Sequence, residues 1–384
     1  MMQSICAVPG VEAAGMKEGK YGLAVIRARG TAAATFTSNL VTAAPVQVMQ
    51  EQMKAGRLDA IVVNSGCANA YTGERGLADA AEMCRIAAEA LGLEPGRIGV
   101  ASTGVIGRYL DLDLIRRQCN EVVPHLAHTE EAETAAARAI MTTDLVEKHA
   151  LVRGDGFTVA GICKGSGMIA PNMGTMLAFI YTDAEIGAED LHESLRSAVR
   201  RSFNRVVVDG DESTNDSAFC TATGVAGPVP REKFDAALEA CCISLAKQIA
   251  ADGEGATRLL EVQVVGAPDE AAAETVARTV VASPLVKTAV YGEDPNWGRV
   301  IAAAGRAGVR FDPDTASLTI GEGSTLTELV TDGKIVSDLV RAKAAMHGKR
   351  VVFSLDLASG EGEAVAWGCD LTEKYVEING KYTT

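Results

Sequence analysis

The sequence predicts an α/β protein built in layers, with its chemistry carried on loops. Two observations point there. Strand-like apolar runs alternate with amphipathic helical segments along the whole chain. Hydrophobic residues make up 47% of the chain but aromatics only 4%, so the core is built of Ala, Val, Ile and Leu, with 39 glycines marking turns and close backbone approaches. A length of 384 residues suffices for a large core or for two lobes.

The elements follow in order. Tyr21 to Ala28 and Ala60 to Val63 read as buried strands. Leu77, Ala81, Cys84, Ala88 and Leu91 recur at helical spacing, and Gly92 and Pro95 end that helix. Ile98 to Ala101 is a short strand, and Met176 to Tyr181 an apolar strand-like run. Phe234, Leu238, Cys241, Leu245 and Ile249 mark an amphipathic helix broken at Asp252-Gly253. Val262 to Val265 reads as a strand, Glu270 to Val281 as a helix, and Val351 to Leu355 with Glu363 to Trp367 as a late strand pair. No internal repeat, low-complexity tract or long linker interrupts this order, and the order of the strands is not legible in it.

Composition excludes several classes. A net charge of −14 disfavours a nucleic-acid partner, which needs a basic face to displace counterions from phosphates. No basic-then-apolar start suggests a secretory signal, and no apolar run is long enough for a membrane span. The nine cysteines are odd in number and form no Cys-x-x-Cys, a pattern that fits reduced thiols in a cytoplasm better than disulfides or a zinc site. The expectation is a cytoplasmic protein with no cofactor, no metal and neither nucleic-acid nor membrane partners.

The segment Lys164-Gly165-Ser166-Gly167-Met168-Ile169-Ala170-Pro171-Asn172-Met173-Gly174-Thr175-Met176-Leu177 is the most informative stretch. It sets one hydroxyl, that of Thr175, between a glycine-rich loop and an apolar run. By position alone Thr175 is a β-branched residue at a strand entrance. Three features argue for more. Gly174 exposes its carbonyl and tolerates strained angles, Gly165 and Gly167 let the loop fold back, and the five histidines sit in no recognisable hydrolase motif. A nucleophilic hydroxyl needs a base, and an α-amine with a pKa of about 7.7–8.0 can serve. Scission of the Gly174–Thr175 bond creates that amine on the residue that bears the hydroxyl, and leaves two segments, 1–174 and 175–384.

The stretch resembles the self-cleavage site of the glutamate N-acetyltransferase, or ornithine acetyltransferase, family. Its pattern is Lys-Gly-x-Gly-Met-Ile-x-Pro-x-Met-Ala-Thr-Met-Leu, and this chain has Gly174 where the pattern has Ala. Asn64-Ser65-Gly66-Cys67-Ala68-Asn69-Ala70, Met141-Thr142-Thr143-Asp144, Asp252-Gly253-Glu254-Gly255-Ala256-Thr257 and Asp294-Pro295-Asn296-Trp297-Gly298-Arg299 also look like family motifs, so the resemblance runs from about Gly10 to Thr384. It implies a layered sheet-and-helix sandwich of the ornithine acetyltransferase type, N-terminal-nucleophile-like and self-cleaved. The implied reaction moves acetyl from N2-acetyl-L-ornithine to L-glutamate through an acetyl ester on Thr175, as acetyl recycling in arginine biosynthesis. The implied assembly is an α2β2 heterotetramer of the cleaved halves, which together form one catalytic unit.

The resemblance also distributes roles. Thr103 and Gly104, in Ser102-Thr103-Gly104-Val105-Ile106-Gly107, stabilise the oxyanion; read plainly, that segment is a glycine-rich strand-to-helix turn. Thr142, Lys164, Glu254, Asn379 and Thr384 join Thr175 as substrate contacts. Read plainly, Lys164 is a loop lysine, Thr142 follows a helix end, Glu254 sits in a helix C-terminal turn, and Asn379 and Thr384 belong to a fraying terminus. The motifs at 64–70 and 294–299 read as tight-turn architecture.

Other signals fail. Asp209 to Asp216 suggests calcium, but an EF-hand requires Gly at its sixth position and Glu at its twelfth, where this chain has Thr214 and Cys220; a polar turn after Val206-Val207-Val208 is the better reading. Lys164-Gly165-Ser166 lacks the order of a P-loop. Two other readings stay open: a self-cleaving aminopeptidase or amidohydrolase that delivers the acyl group to water, and a metabolite-binding protein with Thr175 as a plain strand residue. Some family members also accept acetyl from acetyl-CoA, and the residues leave both forms open.

Overall fold

The computed structural model describes residues 4–170, 176–336 and 338–381. In chain order it contains β1 (Glu12–Glu18), β2 (Tyr21–Phe36), α1 (Ala44–Gln52), β3 (Arg57–Cys67), α2 (Gly73–Leu91), β4 (Ile98–Val105), α3 (Leu112–Val122), α4 (Glu130–Ile140), β5 (Lys148–Arg153), β6 (Thr158–Lys164), β7 (Leu177–Glu185), α5 (Ala188–Arg201), β8 (Val206–Val207), β9 (Ser217–Pro228) and α6 (Arg231–Ala251). There follow β10 (Leu259–Ala267), α7 (Glu270–Val281), α8 (Pro284–Tyr291), α9 (Trp297–Gly305), β11 (Ser317–Ile320), β12 (Thr327–Thr331), β13 (Lys334–Ile335), α10 (Leu339–Met346), β14 (Arg350–Asp356), β15 (Gly362–Cys369) and α11 (Glu373–Lys381). The chain is α/β, as the alternation predicts, and divides into two compact units: Met1–Asn204 with Asp211–Leu245, and Arg205–Gly210 with Ala246–Thr384.

The first unit holds an eight-stranded sheet in the order β4-β3-β2-β9-β7-β6-β5, with β1 paired to β2. Its two parallel pairs are β3 with β4, joined through α2, and β7 with β9, joined through a connection that includes α5. Parallel neighbours need such crossovers, whereas the antiparallel pairs β1–β2 and β5–β6 close through short loops. β2 is twice the predicted length because it serves two partners, pairing with β3 through Thr31 and with β9 from Thr31 to Phe36. Phe179 of β7 faces Phe219 of β9 in register, and the rings stack with centroids 5.7 Å apart. That pair pins β7, since a slip of one residue would turn every side chain to the wrong face. Both β6 and β7 are buried along nearly their whole length, as in a sheet covered on both sides.

The second unit holds a seven-stranded sheet in the order β13-β12-β11-β14-β10-β15-β8. The late strands β14 and β15 exist as predicted but are not paired with each other. β10 lies between them, parallel to β14 and antiparallel to β15. The sequence reads the two as a strand pair; in the structure β10 takes the place between them. α7 begins at Glu270 and ends at Val281 as the spacing predicts, capped by Asp269, whose side chain accepts the Ala272 amide. α2 ends at Gly92 in the left-handed conformation, φ 65°. All nine cysteines are free and buried. No described helix is long and apolar enough to cross a membrane.

Candidate active site

In the first unit, the ends of β4 and β6 meet. β4 continues to Val105, so Ser102, Thr103 and Gly104 are strand residues rather than the predicted turn. The extension is possible because Gly104 adopts φ +131° and has no Cβ; one there would lie 2.4 Å from the Gly66 carbonyl carbon. Lys164 ends β6, buried at 4% exposure, and its Nζ donates to Thr103 Oγ1 at 3.2 Å. An ammonium has only donors, so Thr103 must be the acceptor, and its own hydroxyl proton stays available for another acceptor. A buried hydroxyl polarised in this way suits an oxyanion.

Asp144 ties the segment of Thr142 to the one that follows Lys164. The last turn of α4 is seated on β2 and β3. Ser65 Oγ donates to the Ala139 carbonyl at 2.7 Å, and a Cβ on Gly22 would stand 2.1 Å from that same oxygen. The chain then enters Asp144, whose side chain and that of Lys148 are both fully buried. Oδ2 accepts the Thr142 amide at 3.1 Å, while Oδ1 accepts the Gly165 amide at 2.6 Å and Lys148 Nζ at 2.8 Å. Burial opposes the charge on Asp144, but the Lys164 and Lys148 ammoniums and the hydrogen bonds from Lys148 and Gly165 outweigh it and hold the carboxyl at about 2.

Gly174 and Thr175 lie outside the described residues; Met176, which follows them, is described. Its amide donates to Asp216 Oδ1 at 2.7 Å, and its carbonyl accepts the Ser217 amide at 3.1 Å. Next to Asp216, Asn215 Nδ2 donates to the carbonyls of Ala68 at 2.7 Å and Ser102 at 2.9 Å. One side chain thus fastens the start of β9 to the strand that carries Thr103. The segment expected as a polar turn is therefore only partly so, because Ser213, Thr214, Asn215 and Asp216 are all buried. Sequence reasoning quoted Asp144, Asn215 and Asp216 within longer segments but gave none of them a role in the site. The available signal was an Asn-Asp pair set directly against an apolar strand.

In the second unit, Asn379 Nδ2 donates to Glu254 Oε2 at 2.7 Å, so two predicted contacts do come together. Asp370 holds their loop by accepting the amides of Thr257 at 2.7 Å and Arg258 at 3.0 Å, and Thr372 Oγ1 donates to the Gly255 carbonyl at 2.8 Å. α11 starts there and carries Asn379 back over the loop, so the terminus is an ordered helix through Lys381. Thr384 lies outside the described residues.

Comparison with known proteins settles the family. The ArgJ family model matches residues 9–384. The chain belongs to the ArgJ family. It is 50% identical over 388 residues to the glutamate N-acetyltransferase of Methanosarcina mazei, covering 99% of this chain and 98% of the relative. It is 46% identical over 381 residues to the arginine biosynthesis bifunctional protein ArgJ of Archaeoglobus fulgidus, covering 99% and 100%. A solved chain of the arginine biosynthesis bifunctional protein ArgJ from Bacillus halodurans is 40% identical with a TM-score of 0.50, covering 52% of this chain and 96% of its own. The layered α/β fold is thus of the ArgJ, or ornithine acetyltransferase, type. Two ArgJ-like motifs without an assigned role now have structural ones. Ser65 and Gly66 seat α4 and Gly104, and the Asn296 side chain caps α9 by accepting the Arg299 amide at 3.2 Å.

Proposed function

We propose that this chain is an acetyltransferase of arginine biosynthesis that moves acetyl from N2-acetyl-L-ornithine to L-glutamate through an ester on Thr175. The observation that carries this reading is the buried Lys164–Thr103 hydrogen bond, an oxyanion donor prepared at the C-terminal end of β4 in a chain of the ArgJ family. Thr175 first cuts the Gly174–Thr175 bond. Its freed amine then takes the hydroxyl proton as Oγ attacks the acetyl carbonyl. Thr103 and the backbone at Gly104 stabilise the tetrahedral oxyanion, ornithine leaves, and glutamate's amine attacks the ester in a second half-reaction with the same geometry. Thr142, Lys164, Glu254, Asn379 and Thr384 are the substrate contacts in this proposal. They offer the cation, hydroxyls, amide and carboxylate that an amino acid's two charged ends call for. No cofactor is required, and acetyl-CoA is the alternative donor to assay.

The strand order explains how a cut chain stays whole. β6 belongs to segment 1–174 and pairs with β7 of segment 175–384, and β2 of the first segment pairs with β9 of the second. Two ladders inside one buried sheet hold the segments together as one catalytic unit, two copies of which make the α2β2 assembly we propose. The Bacillus halodurans chain, covered to 96% by 52% of this one, has the proportions of a separate polypeptide the size of 175–384.

The test is intact mass and N-terminal sequence of the purified protein, followed by incubation with N2-[14C-acetyl]-ornithine. The expected outcome is a new N-terminus at Thr175, two fragments that co-elute under native conditions, label on the peptide beginning at Thr175, and label passed on to glutamate with ping-pong kinetics. Label released only as acetate would overturn the transferase reading in favour of a hydrolase. Thr103→Ala should lower kcat about 10²–10³-fold with little change in KM, because the oxyanion contact is made only in the transition state.

A further inference from the structure

Asn215 is buried just before β9, and each of its polar groups has a partner. Its amide donates to Ser213 Oγ at 3.1 Å, and its carbonyl accepts Ser217 Oγ at 3.0 Å. Thr214 Oγ1 donates to Oδ1 at 2.6 Å, which leaves Nδ2 for the carbonyls of Ala68 at 2.7 Å and Ser102 at 2.9 Å. Those two carbonyls can only accept, so they too require the NH2 end, and the orientation of the side-chain amide is fixed from both sides.

What the two bonds hold is the backbone around Thr103 and Gly104. The Ser102 carbonyl and the Thr103 N–H lie in one planar peptide unit, so a donor on that oxygen sets the tilt of the plane and with it the base of the Thr103 side chain. Ala68 carries the second grip past Gly104, because its own amide donates to the Val105 carbonyl at 3.0 Å. Asn215 thus reaches the strand ahead of Thr103 directly and behind Gly104 through one residue. Gly104 explains the need. At φ +131° and without a Cβ it imposes little on the chain, so outside contacts have to fix the peptide there. Lys164 orients the Thr103 hydroxyl at 3.2 Å, and Asn215 sets where that hydroxyl stands.

Resting on the reading of Thr103 and Gly104 as oxyanion donors, we infer that Asn215 is their positioning residue: its side-chain NH2, shared between the Ser102 and Ala68 carbonyls, fixes the Thr103–Gly104 backbone where the tetrahedral oxygen forms.

The grip crosses between the two segments. Thr103 lies in 1–174 and Asn215 in 175–384, so the donors are set only while β9 stays docked beside β2. Donors held in place beforehand need no reorganisation when charge develops on the substrate oxygen. A displacement of about 1 Å in such a contact can cost about 10²-fold in rate.

The experiment combines steady-state kinetics with the infrared band of the acetyl-enzyme formed from N2-[1-13C-acetyl]-ornithine. Asn215→Ala should lower kcat about 10²-fold with KM nearly unchanged. It should also raise the frequency of the ester carbonyl band, since a carbonyl that loses its donors is less polarised. In a Thr103→Ala background the same substitution should cost about threefold or less, because the donor it positions is already gone. A merely structural role predicts an equal loss in both backgrounds and an unmoved band, and either result overturns the inference. Should Asn215→Ala fail to fold, Thr214→Val keeps the shape and removes the bond that orients the amide. That variant should lower kcat about tenfold and move the band in the same direction; wild-type kcat with an unmoved band overturns the inference. The underlying reading is tested apart. If the wild type forms no acetyl-enzyme, the proposed function fails. If Thr103→Ala alone leaves kcat and band unchanged, the oxyanion assignment fails, whatever Asn215 does.

Discussion

Thr175→Ala is expected to accumulate as one uncut polypeptide of 40.0 kDa, to take no label from acetyl-ornithine, and to transfer no acetyl to glutamate. The two losses share one cause. The hydroxyl that attacks the Gly174 carbonyl in maturation is the one that later carries acetyl, so its removal deletes the nucleophile from both reactions. Transfer should fall by at least about 10⁴-fold, since no ester can form. Folding should survive, because the contacts that seat β7 begin after this residue: the Met176 amide on Asp216 and the Phe179–Phe219 stack. Thr175→Ser is the companion variant. It keeps the hydroxyl and loses only a methyl, and should cleave and transfer at a measurable rate. A denaturing gel, intact mass and a labelled-acetyl assay read all of these outcomes. Wild-type turnover by Thr175→Ala would refute the mechanism.

Asp144→Asn should produce the largest loss of stability. The substitution keeps the shape but strips the charge that faces Lys148, whose side chain is fully buried. Breaking a buried pair by removing one partner costs about 3–5 kcal/mol, because the remaining ion cannot return to water. Activity should fall as well, since the same carboxylate fixes the amides of Thr142 and Gly165 on either side of the proposed pocket. The pH dependence has a definite sign. Asp144 titrates at about 2 in the folded chain and at about 3.9 unfolded, so its contribution of roughly 2–3 kcal/mol is complete above about pH 4 and drains away as pH falls through 2. Urea midpoints measured across that window should drop steeply for the wild type and more shallowly for Asp144→Asn. Equal midpoints at pH 7 would show that the carboxylate carries no such burden.

Much of the fold was legible where the signal is local. The helix Glu270–Val281 was readable from its spacing, the stop at Gly92 from a residue that accepts a left-handed backbone, and β7 from its continuous apolar run. The placing of β10 between β14 and β15 was not, because neighbouring strands in sequence carry no mark of which edge each will occupy. The same holds within the site. Thr103, Thr142, Lys164, Glu254 and Asn379 were given roles through motifs, whereas Asp144 and Asp216 were quoted without one. A carboxylate in a polar run looks the same on paper whether it faces water or receives two amides in a dry sheet.

By itself the sequence determined the covalent facts: a hydroxyl placed next to a small residue after a glycine-rich run, an acidic and aromatic-poor composition, and the periods of most helices and strands. Those follow from dihedral preferences and side-chain spacing within a few residues. The tertiary structure alone decided which groups meet. Thr103 and Lys164 are 61 residues apart, Met176 and Asp216 are 40 apart, and Asn215 reaches Ala68 across 147. Such contacts depend on strand order and register, which are settled by burying many apolar faces at once, so no single segment encodes them.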